Sequence, residues 1–346
     1  MNKYKEIIER ELNKIEFPVY GNEYAGALLS AVHHSLLNGG KRIRPSLTLA
    51  VHDAVAGTLG AEAANGIVAE TTETMIPFAT AIEMLHTFSL IYDDLPAFDD
   101  DDMRRGRPSC HKKYGESTAI LAGTILTTVP FAQIASCGAG EQCRLNGITL
   151  LANAVNEMTY GQYLDKFYET DPPIEHGDVA HIADTHKLPE LESQILDMYK
   201  LKTGAMMKTA CLLGVADIAT PEDIAIAMKY SVYGKCEAVA ATADTAGWLT
   251  RKAILAIAEY GERVGLLFQL VDDILDVVGD AEILGKPVGS DVKNGKNTIL
   301  RYRTINDVTI IARREAEKAA QAIHRAFGNR ADTLANYAYD CVSRVT

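Results

Sequence analysis

The chain is poor in several features that would each point to a function. Its six cysteines (Cys110, Cys137, Cys143, Cys211, Cys236 and Cys341) are scattered, without a CxxC pair or zinc spacing, and read as reduced thiols. Positive charge is in deficit. With 34 Lys and Arg against 46 Asp and Glu, the net charge of −12 argues against a nucleic-acid partner, which needs a positive surface. Alternating strand patterns with hairpin turns are scarce, no Pro- or Ser-rich linker divides the 346 residues, and nothing is of low complexity. The segment Met1 to Lys14 is charged throughout and lacks a signal-peptide apolar region, so a cytoplasmic location is expected.

What is present is enough apolar residue, 47%, to bury a large core. Helical periodicity runs over Tyr4 to Ile15, Ala79 to Tyr92, Thr118 to Ser136, Ile148 to Tyr168, Leu191 to Leu213, Ala253 to Val278 and Val308 to Phe327. These runs predict one all-α domain over 1–346, a large helical bundle. The stretch from Ser117 to Gly140 carries no charge, but its threonines, glycines, Pro130 and Gln133 predict a helix buried at the centre of the bundle rather than a membrane span.

Charge is concentrated where burial makes it costly. Asp93-Asp94-Leu-Pro-Ala-Phe-Asp99-Asp100-Asp101-Asp102 follows the apolar Ser89 to Tyr92, and Asp272-Asp273-Ile-Leu-Asp276 follows the apolar Gly265 to Val271. Carboxylates this close repel unless a divalent cation neutralises them, and hard oxygen ligands suit Mg²⁺. Asp272 and Asp276 share one helix face, with Asp273 beside them. Asp93 and Asp99 do not share a face of a straight helix, but Pro96 disfavours helix at Leu95 and predicts a fold-back there. Taken alone, Asp100 to Asp102 read as a solvated loop paired with Arg104 and Arg105. A calcium hand is excluded, because the run lacks that loop's alternating ligands, central glycine and final glutamate.

Basic motifs accompany both clusters. Gly39-Gly40-Lys41-Arg42-Ile43-Arg44-Pro45 can grip a phosphate, with glycines for close backbone approach and a Lys point charge beside an Arg fork. By itself it is no more than an ordinary surface turn. Arg104-Arg105-Gly106-Arg107-Pro108 follows the first cluster, Gly285-Lys286-Pro287 and Gly295-Lys296 follow the second, and Lys202-Thr203-Gly204 lies between them. The cations are local, so their target is a small polyphosphate bridged by metal.

The runs Glu83-Met-Leu-His86-Thr-Phe-Ser-Leu-Ile-Tyr-Asp-Asp-Leu-Pro96, Asp101-Asp-Met-Arg-Arg-Gly-Arg-Pro108 and Phe268-Gln-Leu-Val-Asp-Asp-Ile-Leu-Asp276, with Gly39 to Pro45, resemble the trans-isoprenyl diphosphate synthases, most of all the bacterial farnesyl type. The resemblance implies a homodimer that condenses isopentenyl diphosphate with an allylic diphosphate, dimethylallyl or geranyl, using three Mg²⁺ per active site. It implies Asp93, Asp99 and Asp272, with Asp94, Asp273 and Asp276, as metal ligands, directly or through water. Arg104, Lys202, Lys286 and Lys296 would hold the allylic diphosphate, and Gly40, Lys41, Arg44, His86 and Arg105 would hold isopentenyl diphosphate. Thr203, Gln162 and Gln269 would turn oxygen dipoles toward a carbocation, which the double bond of isopentenyl diphosphate attacks. Standing alone, His86 would be a satisfied core histidine and Phe88 one more core aromatic.

Phe88, five residues before Asp93, would form a floor under the growing hydrocarbon, and the small Ser89 beside it keeps a C20 geranylgeranyl product as the alternative to C15 farnesyl. Thr124 stands where the family commonly has Asp, and the segments 171–190 and 230–251 are longer than usual. Two other readings stay open. A non-catalytic regulatory subunit would not need clustered carboxylates, and a terpene cyclase would leave the Lys41 and Arg44 grip idle.

Overall fold

The computed structural model describes residues 1–18, 25–59, 72–170, 188–230, 251–278 and 296–345. The extended segments over 171–187 and 231–250, and Lys286, lie outside the described residues. The remainder is helical, as the periodicity predicts. The elements are α1 (Asn2–Leu12), α2 (Gly26–Leu36), α3 (Ile43–Leu59), α4 (Thr72–Asp93), α5 (Cys110–Tyr114), α6 (Glu116–Ser136), α7 (Glu141–Thr170), α8 (Leu188–Tyr199), a π-turn over Lys200–Gly204, α9 (Ala205–Leu213), α10 (Pro221–Lys229), α11 (Arg251–Val278), α12 (Ile305–Phe327) and α13 (Asp332–Val342). The only strands among the described residues, β1 (Met103–Arg104) and β2 (Arg107–Pro108), form a small antiparallel hairpin. Its two turn residues, Arg105 and Gly106, both have positive φ, the backbone that closes a two-residue hairpin.

The helices share one apolar core. α4 runs through it, packed against α3, α6 and α9, and it is apolar around most of its circumference because every side has a neighbour. α11 packs against α9, α12 and α13. Its partner α12 is amphipathic, with a Thr304/Asp307 capping box at its start and Gly328 at positive φ after its end. α4 begins before the predicted run because Pro77 lies inside it, where sequence alone suggests a break; Gln133 of α6 donates 2.7 Å to the Pro77 carbonyl.

α4 and α6 are each long and apolar enough to cross a membrane by length and composition. The expectation that the charge-free helix lies at the centre of the bundle is corrected: only 33% of the apolar window of α6 is buried, against 61% for α4. One face of α6 packs on α4, whereas the other leaves Ile120 and Leu121 exposed. Thr124 and Thr128 on α6 hydrogen-bond to their own helix backbone, which keeps that uncharged face free of unmet donors.

Candidate active site

The end of α4 shows how the first aspartate cluster folds. After Asp93 the chain turns through Pro96, Phe98 N–H donates 2.9 Å to Leu95 O, and Asp99 N–H donates 2.9 Å back to Asp93 O. That return places Asp99 beside Asp93 although the two do not share a helix face. Both line one cavity of about 510 Å³, together with Asp272 and Asp273 from α11.

The two ends of this carboxylate set are held differently. Asp99 accepts from Lys296 at 2.8 Å. Burial would raise the Asp99 carboxyl, but Lys296 and Lys202 outweigh it and hold it below its ordinary range. Asp93 moves the other way: burial pushes it up, and Asp99 adds to this against the pull of Lys202. Asp273 accepts from the hydroxyl of Tyr199 and from Gln269 Nε2 at 2.9 Å. Tyr199 in turn accepts from Ile299 N–H at 3.0 Å, and burial followed by Asp273 drives its phenol well above 10.0. Asp272 is the more exposed of the pair and faces Arg344 at 3.8 Å.

Lys202 and Thr203 sit on the π-turn, and glycines explain how it fits. A Cβ on Gly161 of α7 would run into the Lys202 backbone, and one on Gly265 of α11 would run into Gly204. With neither present, the widened turn nests between the two helices and aims Lys202 at the cavity, paired with Asp165. Burial opposes the Lys202 charge, but Asp165 and Asp93 outweigh it and the net shift is upward. Thr203 Oγ1 donates 2.7 Å to Gln269 Oε1, so Thr203, Gln269 and Asp273 form one chain of hydrogen bonds along the wall. Gln162 also lines the cavity, and its Nε2 is buried with no hydrogen-bond partner among the described residues. A buried donor in that state is costly unless an acceptor reaches it.

The Gly39 to Pro45 turn splits its three cations. Arg42, at positive φ, turns into the core, where it donates 2.7 Å to Glu83 and 2.8 Å to Glu9. Arg44 and His86 reach the cavity instead. Arg105 approaches the turn from the hairpin and donates to Gly39 O; Gly40, at φ 116°, has no room for a Cβ beside the Arg105 guanidinium. Burial lowers Arg44 and Arg105. Burial and then Arg44 and Arg105 drive His86 well below 6.5, so its imidazole is neutral near pH 7. Among the described residues, Arg44 and Arg105 make no ion pair at hydrogen-bond distance, although Glu83 lies near both.

Several predicted site residues do not reach the main cavity. Asp94 turns to Arg104, with its carboxyl pushed up to about 6 by burial, and Arg104 carries the contact to the cavity while also holding Asp101 at 2.9 Å. Asp276 is buried and lines an adjoining cavity with Lys296, Arg301 and Arg303. Lys41 lines a third cavity with Tyr337, Cys341 and Arg344. Gly40 and Arg105 pack against each other and do not line the main cavity. Sequence reasoning gave no role to Asp165, Tyr199 or Asn297; Asn297 lines the cavity with a buried Nδ2 that has no hydrogen-bond partner among the described residues. Its position next to Lys296 was the available signal. Phe88 lies deeper, edge-on to Tyr92 at 4.7 Å, with Met158, Met198 and Met206 also on the apolar part of the wall.

Carboxylates from two distant segments, interleaved with ammonium and guanidinium groups above an apolar pit, can bind a divalent cation and a diphosphate whose attached chain is hydrocarbon. A sequence profile of the polyprenyl synthetase family matches residues 26–233 and 227–341. The chain is 37% identical to the farnesyl diphosphate synthase of Micrococcus luteus over 273 residues, 78% of this chain and 74% of that one. It is 33% identical to the chloroplastic geranylgeranyl pyrophosphate synthase 3 of Arabidopsis thaliana over 300 residues, 83% and 67% of the two chains. A Helicobacter pylori geranyltransferase, solved with magnesium and isoprenyl diphosphate, shares the fold with a TM-score of 0.70 at 24% identity, over 98% of this chain and 96% of that one.

Proposed function

The chain belongs to the polyprenyl synthetase family of trans-prenyl diphosphate synthases, and we propose that it joins isopentenyl diphosphate to dimethylallyl or geranyl diphosphate and delivers mainly farnesyl diphosphate. The observation that carries this reading is one cavity in which Asp93, Asp99, Asp272 and Asp273 meet Lys202, Lys296, Arg104, Arg44 and His86. A site in which Lys202, Lys296 and Arg104 interleave with the carboxylates while Arg44 and His86 stand apart from them suits two diphosphates, of which only one needs metal.

The donor set fits Mg²⁺: it is carboxylate oxygen without thiolate, and the upward shift of Asp93 reflects buried negative charge in want of a cation. Asp93, Asp99 and Asp272 would hold the ions, three per site, with Asp273 and Asp276 supporting from α11. Bound there, Mg²⁺ supplies neutralisation of the charge that develops on a departing diphosphate. Lys202, Lys296 and Arg104 bind the allylic diphosphate and keep its oxygens against the metal-binding carboxylates. Arg44 and His86 take isopentenyl diphosphate, with Arg105 and the Gly40 turn outside the main cavity. Gln162 donates its unpartnered N–H to a substrate oxygen. Thr203 and Gln269 present oxygen dipoles to the allylic carbocation, and Phe88 limits the hydrocarbon beneath it. The double bond of isopentenyl diphosphate attacks that cation, and the proton lost afterwards goes to the released diphosphate, so no protein nucleophile takes part.

The apolar outer face of α6, with Ile120 and Leu121 exposed, supports a homodimer that covers it; sedimentation of the purified chain reads its mass directly.

The decisive experiment offers the purified protein one allylic diphosphate with and without isopentenyl diphosphate, followed by chromatography of the dephosphorylated alcohols. The expected result is a C15 alcohol formed only when both are present. A cyclised hydrocarbon from the allylic substrate alone would identify a cyclase instead. Absence of any product from correctly folded protein would leave the regulatory-subunit reading. Dominant C20 alcohol would overturn the farnesyl assignment and keep the prenyl transfer.

A further inference from the structure

On the outer side of the loop that follows the first aspartate cluster, ligand atoms of Asp100, Asp102 and His111 all lie within 4.8 Å of one another. The carboxylates are exposed, at 59% and 71%, whereas the His111 side chain is only 3% exposed. Its Nε2 is buried without a hydrogen-bond partner among the described residues and stops 3.8 Å from Asp100 Oδ1, too far to donate. The other ring nitrogen, Nδ1, lies 3.1 Å from Ser109 Oγ. In the tautomer that gives Nδ1–H to the serine, Nε2 presents a lone pair to two carboxylates. A metal-ligating histidine is held in this way, with the distal nitrogen anchored and the proximal one bare. Lone pair and carboxylates repel each other unless a cation stands between them.

The backbone already holds this geometry. Asp100 adopts φ 50° with its N–H on Leu95 O at 3.2 Å, and Ser109 N–H donates 2.9 Å to Asp102 O, closing the hairpin stem. Asp99, by contrast, turns inward to Lys296, so consecutive residues serve different sites. The resident counter-ion is Lys112, whose Nζ lies 2.8 Å from Asp102 Oδ1 and 3.9 Å from Asp100 Oδ1. Its side chain is 41% exposed, and an exposed ion pair of this kind holds its partner weakly.

We propose that Asp100, Asp102 and His111 bind one divalent transition ion, at a site separate from the magnesium-binding carboxylates, and that this ion clamps the loop carrying Asp99, Arg104 and Arg105. One imidazole with two carboxylates, completed by water, selects Zn²⁺ and its neighbours over Mg²⁺, which favours oxygen alone. Lys112 swings into solvent when the ion enters.

The test titrates the chelator-treated full chain with Zn²⁺ by calorimetry in saturating Mg²⁺, and repeats the titration with Co²⁺ to read its d–d absorption. One ion per chain, undisturbed by Mg²⁺, is expected. Asp102→Asn, at an exposed position, should weaken binding roughly tenfold or more, and His111→Asn should remove it along with the Co²⁺ spectrum. Lys112→Ala should tighten binding, because it deletes the competitor. A double variant, Asp93→Asn with Asp272→Asn, should bind as the parent does. The proposal is overturned if the parent takes up no Zn²⁺ at micromolar concentration, if Asp102→Asn binds equally well, or if the double variant loses the ion. Should His111→Asn fail to fold, Asp102→Asn and Lys112→Ala decide the matter by their opposite signs.

Discussion

The acidic and the basic groups of the cavity are out of balance in opposite senses. Among the carboxylates, burial and Asp99 push Asp93 up; among the cations, burial pushes Arg44 and Arg105 down and these in turn depress His86. The acidic group is carried by the C-terminal parts of α4 and α11 and a proline turn, the basic group by the start of α3 after a glycine turn, by His86 earlier on α4, and by a hairpin. The two groups share α4 but are closed by different turns, and each contains a side chain whose charge burial disfavours. The acidic group calls for a cation and the basic group for an anion, which is the basis for proposing one metal-bridged and one metal-free diphosphate in the same cavity.

The two groups part most visibly when the carboxylates are removed. Asp93→Ala or Asp272→Ala should lower kcat by roughly a thousandfold or more, since lost metal-based charge stabilisation amounts to several kcal/mol. Circular dichroism controls for folding. Near-parental turnover in both variants would end the metal assignment.

On the basic side the effect is smaller and falls on a different constant. Arg44→Ala removes a charge-assisted contact, so KM for isopentenyl diphosphate should rise by about 10–100-fold while KM for the allylic substrate moves little. Equal changes in both constants would mean that the two diphosphates do not occupy separate grips.

The depressed His86 gives the basic side a pH signature. Its native pKa lies well below 6.5, the value it takes in the unfolded chain. As pH falls below about 6.5 the unfolded state takes up a proton that the native state refuses, so stability declines toward acid. The slope approaches about 1.4 kcal/mol per pH unit. Urea unfolding between pH 7 and pH 5, compared with His86→Gln, should show the parent losing more stability over that window; parallel curves would acquit His86 of the acid sensitivity.

Much of this was legible in the sequence. Helical runs, the proline fold-back at Pro96 and the dearth of strands follow from local rules, because periodicity and ring sterics act over a few residues. The run from Leu191 to Leu213 is helical as its periodicity predicts, but the π-turn at Lys200–Gly204 within it was not legible, since it depends on Gly161 and Gly265 from two other helices. Nothing local signals such a fit. The sorting of the cations escaped for the same reason: Arg42 and Arg44 look alike in sequence, but Glu83 and Glu9 take the first into the core. Asp94 and Asp93 are likewise neighbours with different fates, decided by the hairpin that delivers Arg104.

The smallest expected effect lies away from both charged groups, at the apolar end. Phe88 sits five residues before Asp93, which on a helix is about 7.5 Å along the axis, beyond one turn. Its ring meets Tyr92 edge-on at 4.7 Å, and Tyr92 can lie there because α6 offers Gly123, where a Cβ would strike the Tyr92 ring. On the proposed function, two aromatic rings and one glycine would set the depth available to a tail hung from the carboxylate end. Phe88→Ala should leave the charged groups and the overall turnover nearly unchanged and shift the alcohols recovered from C15 toward C20. Gly123→Ala should act through Tyr92, displacing its ring and altering the same distribution while Phe88 stays in place. If Phe88→Ala is active and its products are those of the parent, another part of the wall stops the chain, and Met158, Met198 and Met206 are the next side chains to truncate.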